Sequence, residues 1–401
     1  MAKKALIITE VFYPEDFIIN DLVKDWLADG NELEILTRNP SYPFGKVLKG
    51  YKNKIYCKGE FHGSKVHRIL VIPGYQKSVL KKILNYINYA FLSFWFLLFK
   101  GKQYNKIFIY QTGPLTNAFS AVLLKSIYKF KITIWSQDLW PETIYAYGLK
   151  QTKLTHFFLT QLVRFIYKRC DNILISCKGF ESKINKLLRK PKTITWVPNW
   201  AIINKKGTNK NLLNKGFNFT FAGNIGKVQN LENIIRAFKK ISSHHPNAYL
   251  NIIGDGSNLI ELMRLSKTEK IKNINFTGRK PLVEMPDYFE ESDVLLISLV
   301  DTPLYEIMIP SKFQTYLTAN KPIYSVMKGE VEELVSQNKL GYTAHPSQIS
   351  EIEKGFTAFI NLSEDALSSF SKNAQQLLDN NFNEDKIKKK LNLIFWNETG
   401  E

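Results

Sequence analysis

Short apolar runs alternate with helical patterns along most of the chain, and they do so in two series. Apolar runs bounded by turn residues are typical of strands buried on both faces of a parallel sheet. The first series is expected at residues 5–9, 32–37, 65–71, 106–110, 132–135 and 172–176. The second is expected at 217–222, 248–253, 274–277, 294–299 and 322–326. The alternation predicts an α/β protein with two doubly wound parallel sheets.

The junction between the two series is predicted in the segment 198–216. Asn199 and Trp200 are followed there by a polar stretch, 204–210, that no hydrophobic core could use. We place the domain boundary near Asn204. With 401 residues, the chain is long enough for two domains with full cores.

One helical segment of the second series, 310–323, has the features of an anion site. It follows an apolar strand and a short loop, and it opens with Pro310, Ser311 and Lys312. The N-terminus of a helix presents free backbone N–H groups and the positive end of the helix dipole. Ser311 is expected to cap the first turn, and Lys312 adds a full charge. The segment predicts a diphosphate site.

Two further segments follow predicted strands, where ligands bind in open parallel sheets. Gly254, Asp255 and Gly256 follow the strand 248–253, and they suit either backbone approach to a nucleotide or a plain tight turn. Asp138 follows the strand 132–135 and is expected to face a cleft between the domains, or to serve a structural role such as helix capping.

Positive charge is concentrated in one part of the chain. Residues 51–200 hold 25 Lys and Arg against 5 Asp and Glu, whereas residues 201–401 hold 24 against 23. A basic block in one domain suits an anionic bilayer, an anionic lipid carrier or nucleic acid. Charge alone does not choose among these partners.

The segment 77–100 favours the membrane. Its uncharged part, 83–99, has 17 residues rich in aromatic and aliphatic side chains, and lysines flank both ends. This composition suits a helix in the headgroup region of a bilayer, a core helix packed on the first sheet, or, at the short limit of length, a spanning helix. The segment 157–169 is amphipathic in the same style.

Cysteine and histidine usage indicates neither a disulfide framework nor a metal site. The three cysteines and six histidines stand at spacings that match no metal site, and no Asp-x-Asp pair is present to hold a divalent metal on nucleotide phosphates. The apolar run at the N-terminus is too short for a signal peptide and is typical of a first strand. We therefore expect a cytosolic protein that needs no metal cofactor.

The order of motifs resembles the retaining GT-B glycosyltransferases of family 4. In the second half the resemblance is carried by 223–227, 251–256, 276–279 and 310–323. The first half resembles the aminosugar transferases of bacterial O-antigen and capsule assembly, such as N-acetyl-L-fucosamine transferases. The matching segments there are 13–15, 39–46, 137–143 and 197–200.

The resemblance, which covers nearly the whole chain, implies two Rossmann-like domains that face a cleft. Residues 1–203 would form the acceptor-binding domain and residues 204–382 the nucleotide-sugar-binding domain. Residues 383–401 would form a helix that crosses back to the first domain.

The resemblance also assigns the site residues. It implies catalytic roles for Glu306, Lys312 and Asp138, with Asp138 positioning the acceptor while the departing phosphate takes the proton. Residues implied to bind the nucleotide sugar are Gly223, Asn224, Gly226, Lys227, Gly254, Asp255, Gly256, Arg279, Ser311, Gln314, Glu330 and Glu333. The backbone amides of Gly226, Lys227 and Ser311 are expected to face the diphosphate. Residues implied to bind the acceptor are Glu15, Asn20, Tyr42 and Lys46.

Three positions depart from the pattern of the family. Asn224 and Gln229 stand where an Arg and a Lys are usual, and Gln314 stands where the second of two glutamates is usual, eight positions after Glu306. Lys227 is expected to restore one of the missing charges. Gln314 can still hydrogen-bond a ribose hydroxyl.

The function expected on these grounds is transfer of an N-acetylated amino sugar from a UDP-linked donor to a lipid-pyrophosphate-linked saccharide. It would take place at the inner face of the bacterial cytoplasmic membrane, with the protein bound peripherally to the anionic surface and no nucleic acid involved. The alternatives are a family 4 transferase with another donor or acceptor, a basic nucleic-acid-binding protein, and a membrane-docked scaffold without catalytic activity.

Overall fold

A computed structural model describes residues 4–146, 148–188, 190–202 and 211–396. The strands of this part are β1 (Lys4–Thr9), β2 (Leu33–Arg38), β3 (Tyr56–Phe61), β4 (Ser64–Ile69), β5 (Tyr104–Gln111), β6 (Lys131–Ser136), β7 (Asn172–Ile175), β8 (Ile194–Trp196), β9 (Phe217–Ala222), β10 (Ala248–Ile253), β11 (Ile274–Gly278), β12 (Val294–Ser298), β13 (Ile323–Val326) and β14 (Gly341–Thr343). The helices are α1 (Ile18–Ala28), α2 (Val79–Lys100), α3 (Phe119–Tyr128), α4 (Glu142–Ala146), α5 (Lys153–Arg169), α6 (Gly179–Leu188), α7 (Leu231–His244), α8 (Leu259–Thr268), α9 (Met285–Glu290), α10 (Ser311–Thr318), α11 (Glu330–Gln337), α12 (Ile349–Ile360), α13 (Glu364–Leu377) and α14 (Glu384–Phe395).

The chain divides into two compact units. The divisions fall between Val197 and Pro198 and between Ile387 and Lys388, so that the last part of α14 belongs with the first unit. The boundary predicted near Asn204 lies outside the described residues.

The first unit is built on an eight-stranded sheet in the order β3-β4-β2-β1-β5-β6-β7-β8. Its strands run parallel except for β3, which pairs antiparallel with β4 at the edge. The central strands are apolar and buried because helices cover both faces, as in β1, where Ile7 lies between Ile35 of β2 and Phe108 of β5.

The second unit is built on a six-stranded parallel sheet in the order β11-β10-β9-β12-β13-β14. Its core packs Phe219 of β9 edge-on against Phe356 of α12, with Phe238 of α7 and Tyr324 of β13 beside them. Both series of alternating elements are therefore confirmed as parallel sheets with helical connections.

Three strands escaped prediction. β3 carries Lys58 and Glu60 and is largely exposed, as an edge strand can be, and β8 and β14 have only three residues each. None of the three has the long apolar run that marked the central strands.

The end of the chain packs on the first unit through aromatic rings. The helical structure before the end of the chain is interrupted, because α13 gives way to a π turn, Leu378–Phe382, before α14 begins. Trp26 of α1 stacks on Phe395 with 5.2 Å between ring centroids, and its indole N–H donates to Asn392. Lys388 pairs with Asp25 at 2.6 Å.

Replacing Phe395 by alanine should destabilise the first unit by about 3–5 kcal/mol, because the ring is buried against Trp26 and Phe108. Denaturant unfolding followed by circular dichroism measures the loss. Leu393→Ala is the matched control, since Leu393 lies on the same helix with 52% of its surface exposed. Equal free energies of unfolding for the two variants would contradict this packing.

Candidate active site

In the second unit, most of the predicted nucleotide-sugar residues follow the carboxyl ends of neighbouring parallel strands. Gly223 and Asn224 follow β9, Asp255 lies just beyond β10, and Arg279 follows β11. These strands are adjacent in the sheet, so their ends lie along one edge. The same edge continues through β12, which leads into α10, and β13, which leads into α11. The edge is where open parallel sheets bind ligands.

The glycine loops after β9 and β10 lie backbone against backbone. A Cβ atom on Gly254 would come within 1.8 Å of the carbonyl oxygen of Gly223, and one on Gly256 within 2.3 Å of that of Ile225. The N–H of Ile225 donates to the carbonyl of Asp255 at 2.9 Å. The close approach that Gly254 and Gly256 allow is therefore an approach between the two loops, which only glycine permits.

Lys312, the second residue of α10, lies against the first of these loops. A Cβ atom on Gly223 would meet Cε of Lys312 at 2.7 Å and Nζ at 3.2 Å. The ammonium lies 3.6 Å from the centroid of the Phe221 ring and is buried, with no hydrogen-bond partner within the described part of the protein. Burial lowers the pKa of Lys312 from 10.5 to about 7.

Within the described part of the chain, the buried ammonium of Lys312 has no anionic partner. The Phe221 ring face offers some compensation, of the order of 2 kcal/mol in a desolvated setting, which is less than a hydrogen-bonded anion supplies. Gly223 leaves room for the lysine at the end of β9 because it carries no side chain. An anion bound here would restore the full positive charge of Lys312.

The first turn of α10 differs from the prediction in one respect. Ser311 was expected to cap the helix, but it is the first helical residue, Pro310 occupies the N-cap position, and no side chain caps the turn. The N–H groups of a first turn have no partner within the helix, so Ser311 still offers its backbone donor. Gln314 is 4% exposed, and with its amide assigned the orientation that satisfies its neighbours, the nitrogen donates to the carbonyls of Pro310 at 2.9 Å and Ser311 at 3.1 Å. Only its carbonyl oxygen remains for a ribose hydroxyl.

The predicted glutamates lie around the start of α11. Glu306 is exposed in a 3₁₀ turn, and a Cβ atom on Gly329 would come within 1.9 Å of its carbonyl oxygen. Glu330, the first residue of α11, is nearly buried, whereas Glu333 is exposed. The backbone contact at Gly329 thus brings Glu306 and Glu330 into one neighbourhood.

In the loop 223–229, one backbone N–H group that was predicted to bind the diphosphate already has a partner. The N–H of Gly226 was expected to face a diphosphate, but it donates to the side-chain oxygen of Gln229 at 2.8 Å, so it is not free in this conformation. Gln229 therefore holds the loop at a position where the resemblance implies a cation. Asn224, Lys227 and Arg279 are exposed along the same edge of the sheet.

In the first unit, Asp138 follows β6 and is half-buried. Its carboxylate accepts a hydrogen bond of 2.5 Å from the N–H of Gly113, and burial nevertheless raises its pKa from 3.8 to about 6. Both polar atoms of the Gln137 side chain and Oε1 of Gln111 are also buried, without hydrogen-bond partners among the described residues. Buried polar groups of this kind are usually satisfied, so a polar ligand suits this end of the sheet.

Two of the predicted acceptor residues have side chains that are already hydrogen-bonded within the protein. Glu15 is 4% exposed, and its carboxylate accepts from the N–H groups of Ser41 at 2.7 Å and Tyr42 at 2.6 Å. The side chain of Asn20 donates to the carbonyl of Glu15 at 2.7 Å and accepts from the N–H of Tyr13 at 3.0 Å. Both side chains brace loops at the sheet edge, and their polar atoms are engaged.

The other two predicted acceptor residues lie at the surface. Tyr42 is 46% exposed and packs edge-on against Phe17, and Lys46 is exposed further along the same loop. Both remain available to a ligand.

A buried charge pair at the same end of the first sheet was missed. Glu10, directly after β1, accepts a hydrogen bond of 3.0 Å from Arg38, the last residue of β2. Burial raises the pKa of Glu10 to about 7 although Arg38 opposes the shift. Arg38 also donates to the hydroxyl of Tyr75 at 3.2 Å. The signal was the one that marked Asp138, a charged residue at the carboxyl end of a parallel strand.

Comparison with known proteins identifies the second half of the chain. Residues 204–377 match the family model described as glycosyl transferases group 1. The probable glycosyltransferase WbjE of Pseudomonas aeruginosa is 25% identical over 248 residues, which are 59% of this chain and 61% of that protein, under two thirds of its length. The putative colanic acid biosynthesis glycosyl transferase WcaI of Escherichia coli K12 is 24% identical over 312 residues, 73% of this chain and 75% of that protein.

Solved structures extend the similarity to the whole fold. The crystal structure of Anabaena Alr3699/HepE in complex with UDP has a TM-score of 0.72 at 12% identity and covers 97% of this chain and 98% of its own. Together with the two parallel-sheet units, these findings show that the chain has the GT-B fold. The match to the group 1 glycosyl transferase model lies within its second unit.

Replacing Lys312 by methionine should stabilise the ligand-free protein by several degrees at pH 6, because a buried ammonium without a counterion is costly. The lowered pKa means that this cost is fully present below about pH 7 and disappears as the pH approaches 10.5, so the gain should shrink with rising pH. Calorimetric unfolding with and without inorganic pyrophosphate measures both this gain and the stabilisation by the anion, which the variant should lose.

Lys267→Met, at an exposed position of α8, is the control and should change neither quantity. A Lys312→Met protein that melts at the wild-type temperature and keeps its response to pyrophosphate would remove Lys312 from the site.

Proposed function

We propose that the protein transfers an N-acetylated amino sugar from a UDP-linked donor to a lipid-pyrophosphate-linked saccharide, with retention of configuration at the anomeric carbon. N-acetyl-L-fucosamine is the sugar that the motifs of the first half suggest. The observation that carries the proposal is the buried ammonium of Lys312, which has no hydrogen-bond partner in the described structure and lies at the N-terminus of α10 beside the glycine loops.

The reaction needs this cation at the leaving group. As the bond between the anomeric carbon and the diphosphate oxygen breaks, negative charge grows on the diphosphate and positive charge grows on the sugar ring. A fixed donor in a desolvated setting stabilises that charge without reorganisation. In the proposed mechanism Lys312 and the backbone N–H of Ser311 at the start of α10 hold the diphosphate, and Glu306 stabilises the developing sugar cation.

The acceptor side is assigned to Asp138. Its carboxylate would orient the attacking hydroxyl, whose oxygen bonds to the anomeric carbon on the face that the diphosphate leaves. The hydroxyl proton passes to the departing diphosphate oxygen, so that a free nucleoside diphosphate and a lengthened saccharide result. When Asp138 is ionised, both of its oxygens accept, one from the N–H of Gly113 and the other from the acceptor hydroxyl, whereas protonation turns one oxygen into a donor. With the pKa of Asp138 raised to about 6, the rate should therefore rise as the pH passes that value.

The similar proteins support part of the proposed reaction, and the motifs and charge of this chain support the rest. HepE was crystallised with UDP, and the name of WcaI refers to the biosynthesis of colanic acid, which supports a UDP-linked donor and a role in polysaccharide synthesis. The aminosugar rests on the motifs 39–46 and 137–143, and the lipid-linked acceptor rests on those motifs and the basic first half. We place the reaction at the inner face of the cytoplasmic membrane for the same reasons.

The proposed chemistry uses no metal. Charge neutralisation at the diphosphate falls to Lys312, aided by the exposed Lys227 and Arg279, although Asn224 and Gln229 replace two cations of the usual pattern. The absence of these two usual cations favours one alternative, a scaffold without catalytic activity.

Incubation with labelled UDP-N-acetyl sugars and a lipid-pyrophosphate-linked monosaccharide tests the proposal. We expect transfer in the presence of EDTA, with the donor's anomeric configuration retained when the product is read by NMR. Asp138→Asn keeps an oxygen for the N–H of Gly113 and should slow transfer about 100-fold through lost orientation of the acceptor, with the KM for the donor unchanged.

Three results would contradict the proposal. A product with inverted anomeric configuration would exclude the proposed mechanism. Unaltered turnover in Asp138→Asn would show that Asp138 does not orient the acceptor. If the protein binds UDP but transfers sugar from none of the UDP-sugars, the result would favour the scaffold without catalytic activity.

A further inference from the structure

The outward face of α2 carries a continuous apolar stripe. Phe99 is 77% exposed and Leu80 is 66% exposed, and further large apolar side chains between them recur every three or four residues along the same face. The members of this stripe are Leu80, Leu84, Ile87, Phe91, Trp95 and Phe99. Monomeric soluble proteins rarely expose so long an apolar strip, which is typical of an interaction surface.

The opposite face of α2 is fixed to the sheet of the first unit. Tyr89 is buried, and its hydroxyl donates to the carbonyls of Thr9 at 3.0 Å and Leu36 at 3.1 Å. The helix is long and apolar enough to cross a bilayer, but a third of its apolar stretch is buried in the protein. Since one face belongs to the core, the geometry favours a helix that lies along a surface, and it explains why the segment is apolar on both faces.

Two neighbouring helices, α3 and α5, extend the apolar stripe of α2. The hydroxyl of Tyr128, at the end of α3, donates to the carbonyl of Leu98 near the end of α2 at 2.6 Å, and Phe119 at the start of α3 packs on Phe165 of α5. Further exposed apolar side chains on these two helices are Leu123, Ile127, Leu154, Phe157 and Phe158. We call the exposed apolar side chains of α2, α3 and α5 the apolar face.

An open basic pocket of about 760 Å³ lies where α3 and α5 end and β6 begins, and its residues Val122, Lys125 and Ser126 alternate along α3 with Leu123 and Ile127 of the apolar face. Of the described residues that line it, six are basic and Asp171 alone is acidic. The six are Lys125, Lys129, Lys131, Lys168, Arg169 and Lys192.

Among the described residues that line the basic pocket, cations outnumber the single acid. Lys125 pairs with Asp171 at 2.6 Å, and Lys192 donates to the carbonyls of Cys170 at 2.7 Å and Lys168 at 2.8 Å. Burial lowers the pKa of Lys192, and the charge of Lys125 adds to this shift, whereas Cys170 and Asp171 oppose it. An anion in the pocket would relieve the repulsion.

We propose that the apolar face docks on an anionic phospholipid bilayer and that the basic pocket takes the phosphate of a lipid headgroup. Apolar side chains that enter the acyl boundary next to cations that meet headgroups are the combination that interfacial binding requires. A second copy of the chain would bring two surfaces of the same positive sign together. The proposal deepens the proposed function in one point only, since it places the first unit on the membrane that would hold a lipid-linked acceptor.

Sedimentation of the full-length protein with phosphatidylcholine vesicles, with and without about a third of phosphatidylglycerol, tests the docking without any donor or transfer step. The wild type should bind the anionic vesicles far more tightly than the neutral ones. Lys129→Gln with Lys168→Gln should weaken binding about fivefold for each lysine. Serine at Ile87, Phe91 and Phe99 should lower binding to both kinds of vesicle.

Lys267→Gln with Lys272→Gln, exposed in the second unit, is the matched control and should bind as the wild type does. Circular dichroism confirms that each variant is folded. Three outcomes would overturn the docking: binding by the Lys129/Lys168 variant at the wild-type level, retention of binding after the serine replacements, or a wild type that stays in the supernatant. Because no sugar transfer is measured, a failure here leaves the proposed function untouched, and a failed transfer assay leaves the docking untouched.

Discussion

The candidate site of the second unit depends on a lysine ammonium that is held out of water with no hydrogen-bond partner among the described residues. Lys312 owes this position to three neighbours: the first turn of α10, the ring of Phe221 and the bare backbone of Gly223. A larger residue at 223 would collide with the lysine side chain. The unit therefore keeps a charge whose burial disfavours folding, and such a cost is expected where a ligand anion is to be bound.

Parallel strand ends explain why sequence reasoning placed many candidate residues at sheet edges. A polar or glycine-rich segment directly after an apolar run marks the edge where such sheets bind ligands, and Gly254 and Asp138 were predicted in this way, whereas Lys312 was predicted from the start of a helix and Gly223 from the family resemblance. The same signal does not reveal whether a polar side chain is already satisfied. Glu15 has the right position, but its oxygens are used by the N–H groups of Ser41 and Tyr42, which lie far away in sequence.

Strands were predictable where both of their faces are buried, and they were missed where one face or more is exposed. The central strands are continuous apolar runs, whereas β3 is an exposed edge strand that carries charges. The buried pair of Glu10 and Arg38 escaped notice because a charged residue beside a strand usually lies in solvent. The apolar segment 77–100 was ambiguous for a physical reason, since one face of α2 serves the core and the other is exposed.

Calorimetric titration with UDP at pH 8, repeated in buffers of different ionisation enthalpy, tests the central claim most directly. In the free protein the pKa of Lys312 is lowered to about 7, so the lysine is mostly neutral at pH 8 and must take up a proton to hold the diphosphate. The account predicts uptake of about 0.9 proton for each UDP bound, and little uptake in Lys312→Met. Binding heats that do not depend on the buffer, or equal uptake in both proteins, would contradict it.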